Sequence, residues 1–251
     1  MKQNTIADAD SDASGDSLYI VIPAYNEEMN IDTVAREWHQ VVRDIGGKSR
    51  LVIINDGSRD HTYEKLQSLS AELPYLTPLT KKNGGHGATV LFGYQHALQE
   101  GADFIFQTDS DGQTLPSEFP AFWEKRREHA AIIGARSHRQ DGISRVFVTK
   151  VLKLVLRIIF HIQVTDANTP FRLMKRETLS RYVPKIPKDF NLANVLLTVL
   201  MLDAGEDVLF LPITFRPRQG GKNSINFKKI VRIGRQAVKD FRQIRKSMKA
   251  V

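Results

Sequence analysis

The sequence predicts an α/β fold: a mostly parallel central sheet flanked by helices, with an amphipathic helix at the C-terminus. Three observations lead there. Short apolar runs alternate with amphipathic stretches from Leu18 to Gln107, the pattern of repeated strand–helix units. Three runs are followed by polar clusters, Pro23-Ala24-Tyr25-Asn26-Glu27, Asp56-Gly57-Ser58 and Asp109-Ser110-Asp111; in a parallel sheet such ends open on one edge, where ligands bind. From Asn226 to Val251 cations recur at alternating steps of four and three, which puts them on one side of a helix.

The elements follow in order. Leu18 to Pro23 is a buried strand. Glu28 to Val42 sets Ile31, Val34, Ala35, Trp38 and Val41/Val42 on one helical face. Leu51 to Asn55 is a second strand, Arg59 to Ala71 a second helix, and Leu76 to Leu79 a short strand. After Asn83-Gly84-Gly85-His86-Gly87 a helix runs from Ala88 to Glu100, and Asp103 to Gln107 is a strand that stops at Thr108-Asp109-Ser110-Asp111. Val146 to Ile162 is a helix with Lys150, Lys153, Arg157 and His161 in a narrow basic stripe and an apolar remainder. It suits either a core helix with one wet edge or a helix lying in a bilayer interface. The predicted organisation is an acidic disordered tail over residues 1–17, one domain over 18–225, and a basic helix over 226–251.

Of 251 residues, 41% are hydrophobic and 25% charged, ordinary for a globular protein. The net charge of +8 lies wholly in the last helix, where nine Lys or Arg meet one acid, Asp240. The body is therefore formally neutral, and the tail suits an anionic surface. No nucleic-acid docking motif accompanies those charges, so no nucleic-acid partner is expected. The absence of cysteine excludes disulfides and thiolate metal sites. No apolar run reaches the ~18 residues of a spanning helix, and residues 1–16 lack the apolar segment of a secretory signal. A cytoplasmic, peripheral protein at the inner face of the membrane is expected.

The chemistry centres on Asp109 and Asp111. Residues i and i+2 of an extended segment face one side, and two carboxylates held together favour a cation between them. Mg²⁺ or Mn²⁺ suits such a pair, with phosphates and water completing the shell. The bland alternative is a polar loop or helix cap. Asp56 can meet a base or ribose, or cap a helix. Gly84, Gly85 and Gly87, ahead of a helix, would let backbone approach a ligand. Neither a P-loop nor a Rossmann fingerprint is present.

Taken in order, these motifs resemble the family-2 nucleotide-sugar glycosyltransferases. The resemblance continues through Gly134-Ala135-Arg136, Asp166-Ala167-Asn168-Thr169-Pro170-Phe171-Arg172 and Arg216-Pro217-Arg218-Gln219-Gly220-Gly221-Lys222-Asn223-Ser224, and covers residues 18 to 227. Within the family the chain is similar to the polyprenyl-phosphate glycosyltransferases, the dolichyl-phosphate mannosyltransferase branch. The resemblance implies a GT-A fold and an inverting enzyme using a UDP- or GDP-sugar. Pro23, Ala24, Tyr25, Glu27, Asp56, Ser58, Gly85 and Gly87 would line the nucleotide pocket. Asp109 and Asp111 would hold metal and diphosphate, with Gln113 near the sugar. Arg136, Arg145, Arg172, Arg216, Arg218 and Ser224 would contact phosphates or acceptor.

A lipid phosphate acceptor is already anionic and needs no general base, whereas a glycan or lipid hydroxyl needs one. The clear Glu-Asp pair that many inverting relatives offer is lacking, which agrees with a phosphate acceptor. Asp189 is the candidate base for a hydroxyl. Where the polyprenyl-phosphate branch often has an acid, this chain reads Asn191-Leu192-Ala193-Asn194. A sugar nucleotidyltransferase is the competing class, disfavoured by an acidic first loop. A membrane partner subunit and a homo-oligomer are both left open.

Overall fold

The computed structural model describes residues 15–139, 143–217 and 227–249, with side chains undescribed at 137–139, 143–150, 227–234 and 247–249. Seven strands form one sheet: β1 (Leu18–Ala24), β2 (Arg50–Asn55), β3 (Leu76–Thr80), β4 (Phe104–Gln107), β5 (Ala131–Arg139), β6 (Arg172–Lys175) and β7 (Val208–Phe215). Their spatial order is β3-β2-β1-β4-β6-β5-β7. β1 to β4 pair in parallel, as do β5 and β7; β6 runs antiparallel to both its neighbours. The mostly parallel α/β sheet expected from sequence is present, with β6 as its single reversed strand among those described.

Eight α-helices lie among the described residues: α1 (Ile31–Ile45), α2 (Thr62–Glu72), α3 (His86–Gln99), α4 (Phe119–Glu124), α5 (Ile143–Phe160), α6 (Arg176–Tyr182), α7 (Ala193–Asp203) and α8 (Phe227–Lys249). Strand periodicity decides which face each residue serves. Leu18, Ile20 and Ile22 of β1 meet Trp38 of α1, Leu66 of α2 and Phe119 of α4. Tyr19 and Val21 join the opposite core, with residues of α3, α5, α6, α7 and α8. Both outer strands carry a proline, Pro78 in β3 and Pro212 in β7.

Two boundaries differ from expectation. Ser17 is buried and donates through N and Oγ to Asp103 Oδ2 at 2.9 and 2.7 Å, and Asp16 pairs with Arg126 and Arg127. The fixed chain thus starts before Leu18; residues 1–14 of the expected tail lie outside the described residues. The C-terminal helix is part of the body rather than an appendage. Ala237 and Phe241 are buried in the same core, Phe241 packs edge-on against Phe160, and Arg245 Nη1 donates to both oxygens of Asp203.

α5 resolves the choice posed by its sequence into a helix of two sides. Leu156 and Phe160 are buried, whereas Val151, Leu154 and Ile158 stand in solvent, Ile158 with 63% of its surface exposed. Exposed Lys153 and Arg157 border that apolar row. No helix among the described residues is long and apolar enough to cross a membrane.

Candidate active site

Strand order 3-2-1-4 reverses direction between β1 and β4, and in open α/β sheets such a reversal marks the crevice at the carboxyl ends of the strands where ligands bind. The loops after β1, β2 and β4 meet at that edge and lock one another. Ser58 Oγ accepts from Asn26 N at 3.0 Å, and Asn26 Oδ1 accepts from Arg59 N at 2.9 Å. Ser110 Oγ donates to Pro23 O at 2.8 Å, pinning the loop after β4 to the end of β1. Ala24 is buried, and its carbonyl accepts from Asp56 N at 2.8 Å.

Asp56 is 3% exposed. Its carboxylate accepts from Gly84 N and Gly85 N, each at 2.9 Å, and pairs with the Lys81 ammonium. The cap alternative drops out, because α2 begins six residues later at Thr62. Gly57 permits the fold-back: its φ is +64°, and a Cβ there would lie 2.8 Å from Asn83 N.

Asp109 Oδ1 accepts from His86 Nε2 at 3.0 Å and Gln107 Nε2 at 3.1 Å, while Asp111 Oδ1 accepts from Gln113 N at 3.1 Å. Desolvation acts to lower the His86 pKa, yet Asp109, Asp111 and Asp56 together hold it above the ordinary histidine value. Asp109 alone bonds the imidazole at the start of α3, while Asp111 and Asp56 act on it through their charge. Gln113 is buried and clasps the end of β7: its Nε2 donates to Arg216 O at 2.8 Å, and its own carbonyl accepts from Arg216 N at 2.8 Å. Among the described residues, Arg216 Nε is buried without a hydrogen-bond partner.

Several expected site residues serve the framework instead. Arg172 is 0% exposed and cannot meet a phosphate. All of its nitrogens are used within the core, donating to the carbonyls of Ala167, Thr169 and Asn194 and to Thr198 Oγ1. Gly87 faces protein: a Cβ there would stand 2.0 Å from Phe190 O, so its bareness seats the 187–192 loop on α3. The Glu27 carboxylate is buried and accepts from Asn30 Nδ2 at 2.8 Å, ordering the entry to α1. Arg136 forms a bidentate pair with Asp166 at 2.8 and 2.9 Å.

Tyr25 is exposed at the crevice edge of the sheet, and Asp189 is exposed on the loop that covers Gly87. Arg218, Ser224 and the Arg145 side chain lie outside the described residues. Lys81, His86, Gln107 and Asn194 were not singled out from sequence. His86 and Lys81 sit in or beside the glycine motif, so proximity to it was the available signal; Gln107 and Asn194 carry none.

A family model described as "Glycosyl transferase family 2" matches residues 19–183, more than half of the chain. The chain belongs to glycosyl transferase family 2. Among curated relatives of this family-2 chain is the undecaprenyl-phosphate 4-deoxy-4-formamido-L-arabinose transferase of Pectobacterium carotovorum, 26% identical over 167 residues, which are 65% of this chain and 50% of the relative. The transferase of that name from Shewanella sediminis is 27% identical over 167 residues, again 65% and 50%. The match thus spans about half the length of these relatives. The family-2 chain also shares its fold with glucosyl-3-phosphoglycerate synthase of Mycobacterium tuberculosis, solved with Mn²⁺, UDP and phosphoglyceric acid (TM-score 0.70, 15% identity, 92% of this chain and 79% of that one). S. aureus TarS superposes with a TM-score of 0.55 at 16% identity, over 79% and 60% of the two chains. These likenesses identify a GT-A architecture.

Proposed function

We propose that this protein is an inverting glycosyltransferase that moves a sugar from a nucleoside-diphosphate donor to a polyprenyl phosphate at a membrane surface. The observation that carries the proposal is the placement of Asp109 and Asp111 directly after β4 at the strand-order reversal, with Asp109 bonded to His86, the residue next to the Gly84–Gly85 segment that buried Asp56 holds. Family membership and the names of the curated relatives support the reaction and the acceptor class.

The residues fit a divalent cation. Asp109 and Asp111 offer hard carboxylate oxygens, as Mg²⁺ and Mn²⁺ prefer. Among the described residues no group of three or more ligating side chains gathers, so the diphosphate and water would complete the shell. When bound, such an ion neutralises charge on the departing diphosphate. The fold neighbour solved with Mn²⁺ and UDP is consistent with that donor set.

The chain's own residues supply the rest. Tyr25, Ser58 and the loop ordered by Asp56 border the nucleoside side of the crevice. Gln113 fixes the loop after Asp111 against β7 and holds Arg216 beside it. Arg216, whose buried Nε has no hydrogen-bond partner among the described residues, would grip a phosphate, since a guanidinium can bind phosphate oxygens in a fork. Arg145, Arg218 and Ser224 remain candidates for the acceptor phosphate.

The exposed apolar row of α5, bordered by Lys153 and Arg157, would lie in the interface, with Arg235, Lys239, Arg242 and Lys246 of α8 as cations toward anionic lipid. The cytoplasmic leaflet, rich in anionic lipid, is the face such cations would favour.

A thermal-shift screen with UDP, GDP and CDP, each with and without Mn²⁺, tests the donor site. Stabilisation by one diphosphate, lost in Asp111→Asn, is expected; indifference to all three overturns the reading. Radiolabelled sugar nucleotides offered with polyprenyl phosphate or with glycan hydroxyls then test the acceptor. Transfer to hydroxyls alone, abolished in Asp189→Asn, would replace the lipid-phosphate assignment with base-assisted chemistry.

A further inference from the structure

Asp109 is held from behind by a chain of buried amides. Tyr94 Oη donates to Asn194 Oδ1 at 3.4 Å, Asn194 Nδ2 to Gln107 Oε1 at 2.9 Å, and Gln107 Nε2 to Asp109 Oδ1 at 3.1 Å. Tyr94 and Gln107 are fully buried and Asn194 nearly so. Every donor points the same way, toward the carboxylate, and hydrogen bonds aligned head to tail strengthen one another in a low dielectric. His86 reaches the same oxygen from the crevice side at 3.0 Å. Asp109 Oδ1 is thus gripped from both sides, which arrests rotation of the carboxylate.

An apolar side chain could have filled the last position of a buried strand, where a polar group must find partners or lose stability. The amide of Gln107 uses both ends to join groups 87 and 2 residues away in sequence. Its far partner, Asn194, lies in the first turn of α7, directly after the 187–192 loop. That loop rests on Gly87 of α3, the helix that supplies both His86 and Tyr94. Two helices on one face of the sheet therefore set a single oxygen.

We propose that Gln107 and Asn194 are positioning residues that fix the Asp109 carboxylate for a divalent cation and diphosphate, acting through the buried chain that starts at Tyr94. This rests on the proposed function, because it assigns the cation to Asp109.

The test measures Mn²⁺ binding by the full chain, following free Mn²⁺ by paramagnetic resonance, alone and with the nucleoside diphosphate that stabilises the protein. Gln107→Met removes the donor at nearly constant volume. Asn194→Asp keeps Asn194's place in the core but offers only acceptors, so Gln107 Nε2 turns to it and Gln107 Oε1 turns toward Asp109. Both variants are expected to weaken Mn²⁺ by about 10- to 100-fold, the usual effect of losing a partner that orients a metal ligand. Binding of the diphosphate without metal should be unchanged.

Folded variants that bind Mn²⁺ as tightly as wild type overturn the relay and leave the proposed function standing. A wild-type protein that binds neither Mn²⁺ nor any diphosphate overturns both. If neither variant folds, the side-chain amide resonances of Gln107 and Asn194 in the wild type decide the question. They should shift together when Mg²⁺ and the diphosphate are added; unmoved signals overturn the proposal.

Discussion

In the half of the sheet made by β1 to β4, polar groups reach the crevice from loops directly after their own strands. Asp56 follows β2 and Asp109 and Asp111 follow β4, and the loops lock to one another through short side chains such as Ser58 and Ser110. In the half made by β5 to β7, the contributions arrive from far away in sequence. Gln113 clasps Arg216 across 103 positions, and Asn194 reaches Gln107 across 87. The strong charge of that half, Arg172, turns wholly inward. The first half displays its carboxylates, whereas the second, Arg216 apart, supports chemistry displayed elsewhere.

That contrast breaks most visibly at Asp111. Asp111→Asn should lower turnover by about 100- to 1000-fold, comparable to losing a key electrostatic contact to a transition state. Its urea midpoint should stay near wild type. Arg172→Leu should do the reverse. It strips both Arg172 donors from the buried Thr169 carbonyl, at a cost of about 1–3 kcal/mol for a group left unsatisfied, whereas the carbonyls of Ala167 and Asn194 keep the Thr198 hydroxyl as donor. Urea unfolding should record the loss, and diphosphate affinity in the surviving folded fraction should be unchanged. If Arg172→Leu instead left stability intact and abolished binding, the division between the two halves would be wrong.

Gly87→Ala probes the seam between them. The new methyl would collide with the Phe190 carbonyl, and overpacking of this kind costs about 1–3 kcal/mol. Because the loop carrying Asp189 must lift, acceptor KM should rise more than donor KM in steady-state assays. At the surface, Lys153→Gln and Arg157→Gln should each weaken binding to anionic vesicles by about 1 kcal/mol, leave thermal stability unchanged, and lose their effect on neutral vesicles.

The smallest effect expected is one of pH. Desolvation, and secondarily Arg43, lowers the His39 pKa in the fold. The neutral ring is thus favoured by folding. The stability it contributes is present above the unfolded value of about 6.5 and is lost as pH falls toward the lower folded value. Replacing this ring, which packs near Tyr75, by His39→Phe should flatten the urea midpoint over that window while leaving crevice binding untouched.

The same division governs what was readable in the sequence. β1 to β4 and α1 to α3 announce themselves through apolar runs, amphipathic faces and turn residues, and the three polar clusters predicted a shared edge correctly. β5, β6, β7, α4, α6 and α7 carry weaker signals. β6 has four residues and buries an arginine, and β7 is interrupted by a proline. α7 is buried at nine consecutive positions from Ala193 to Met201, so it lacks the one-sided pattern by which a helix is recognised. Site residues followed suit. Asp109 and Asp111 stand out by type and spacing. Arg172 and Glu27 were misread because burial, not identity, decides whether a charge faces a ligand. Gln107 and Asn194 matter only through each other, a relation with no local trace.

The prolines at the two margins of the sheet have a consequence for self-association. A neighbouring chain seeking to lengthen the sheet would meet, on either flank, a position with no amide hydrogen to give and a ring crowding the approach. Ribbon-like growth is blunted at both borders, and any pairing of two copies falls to the helical faces.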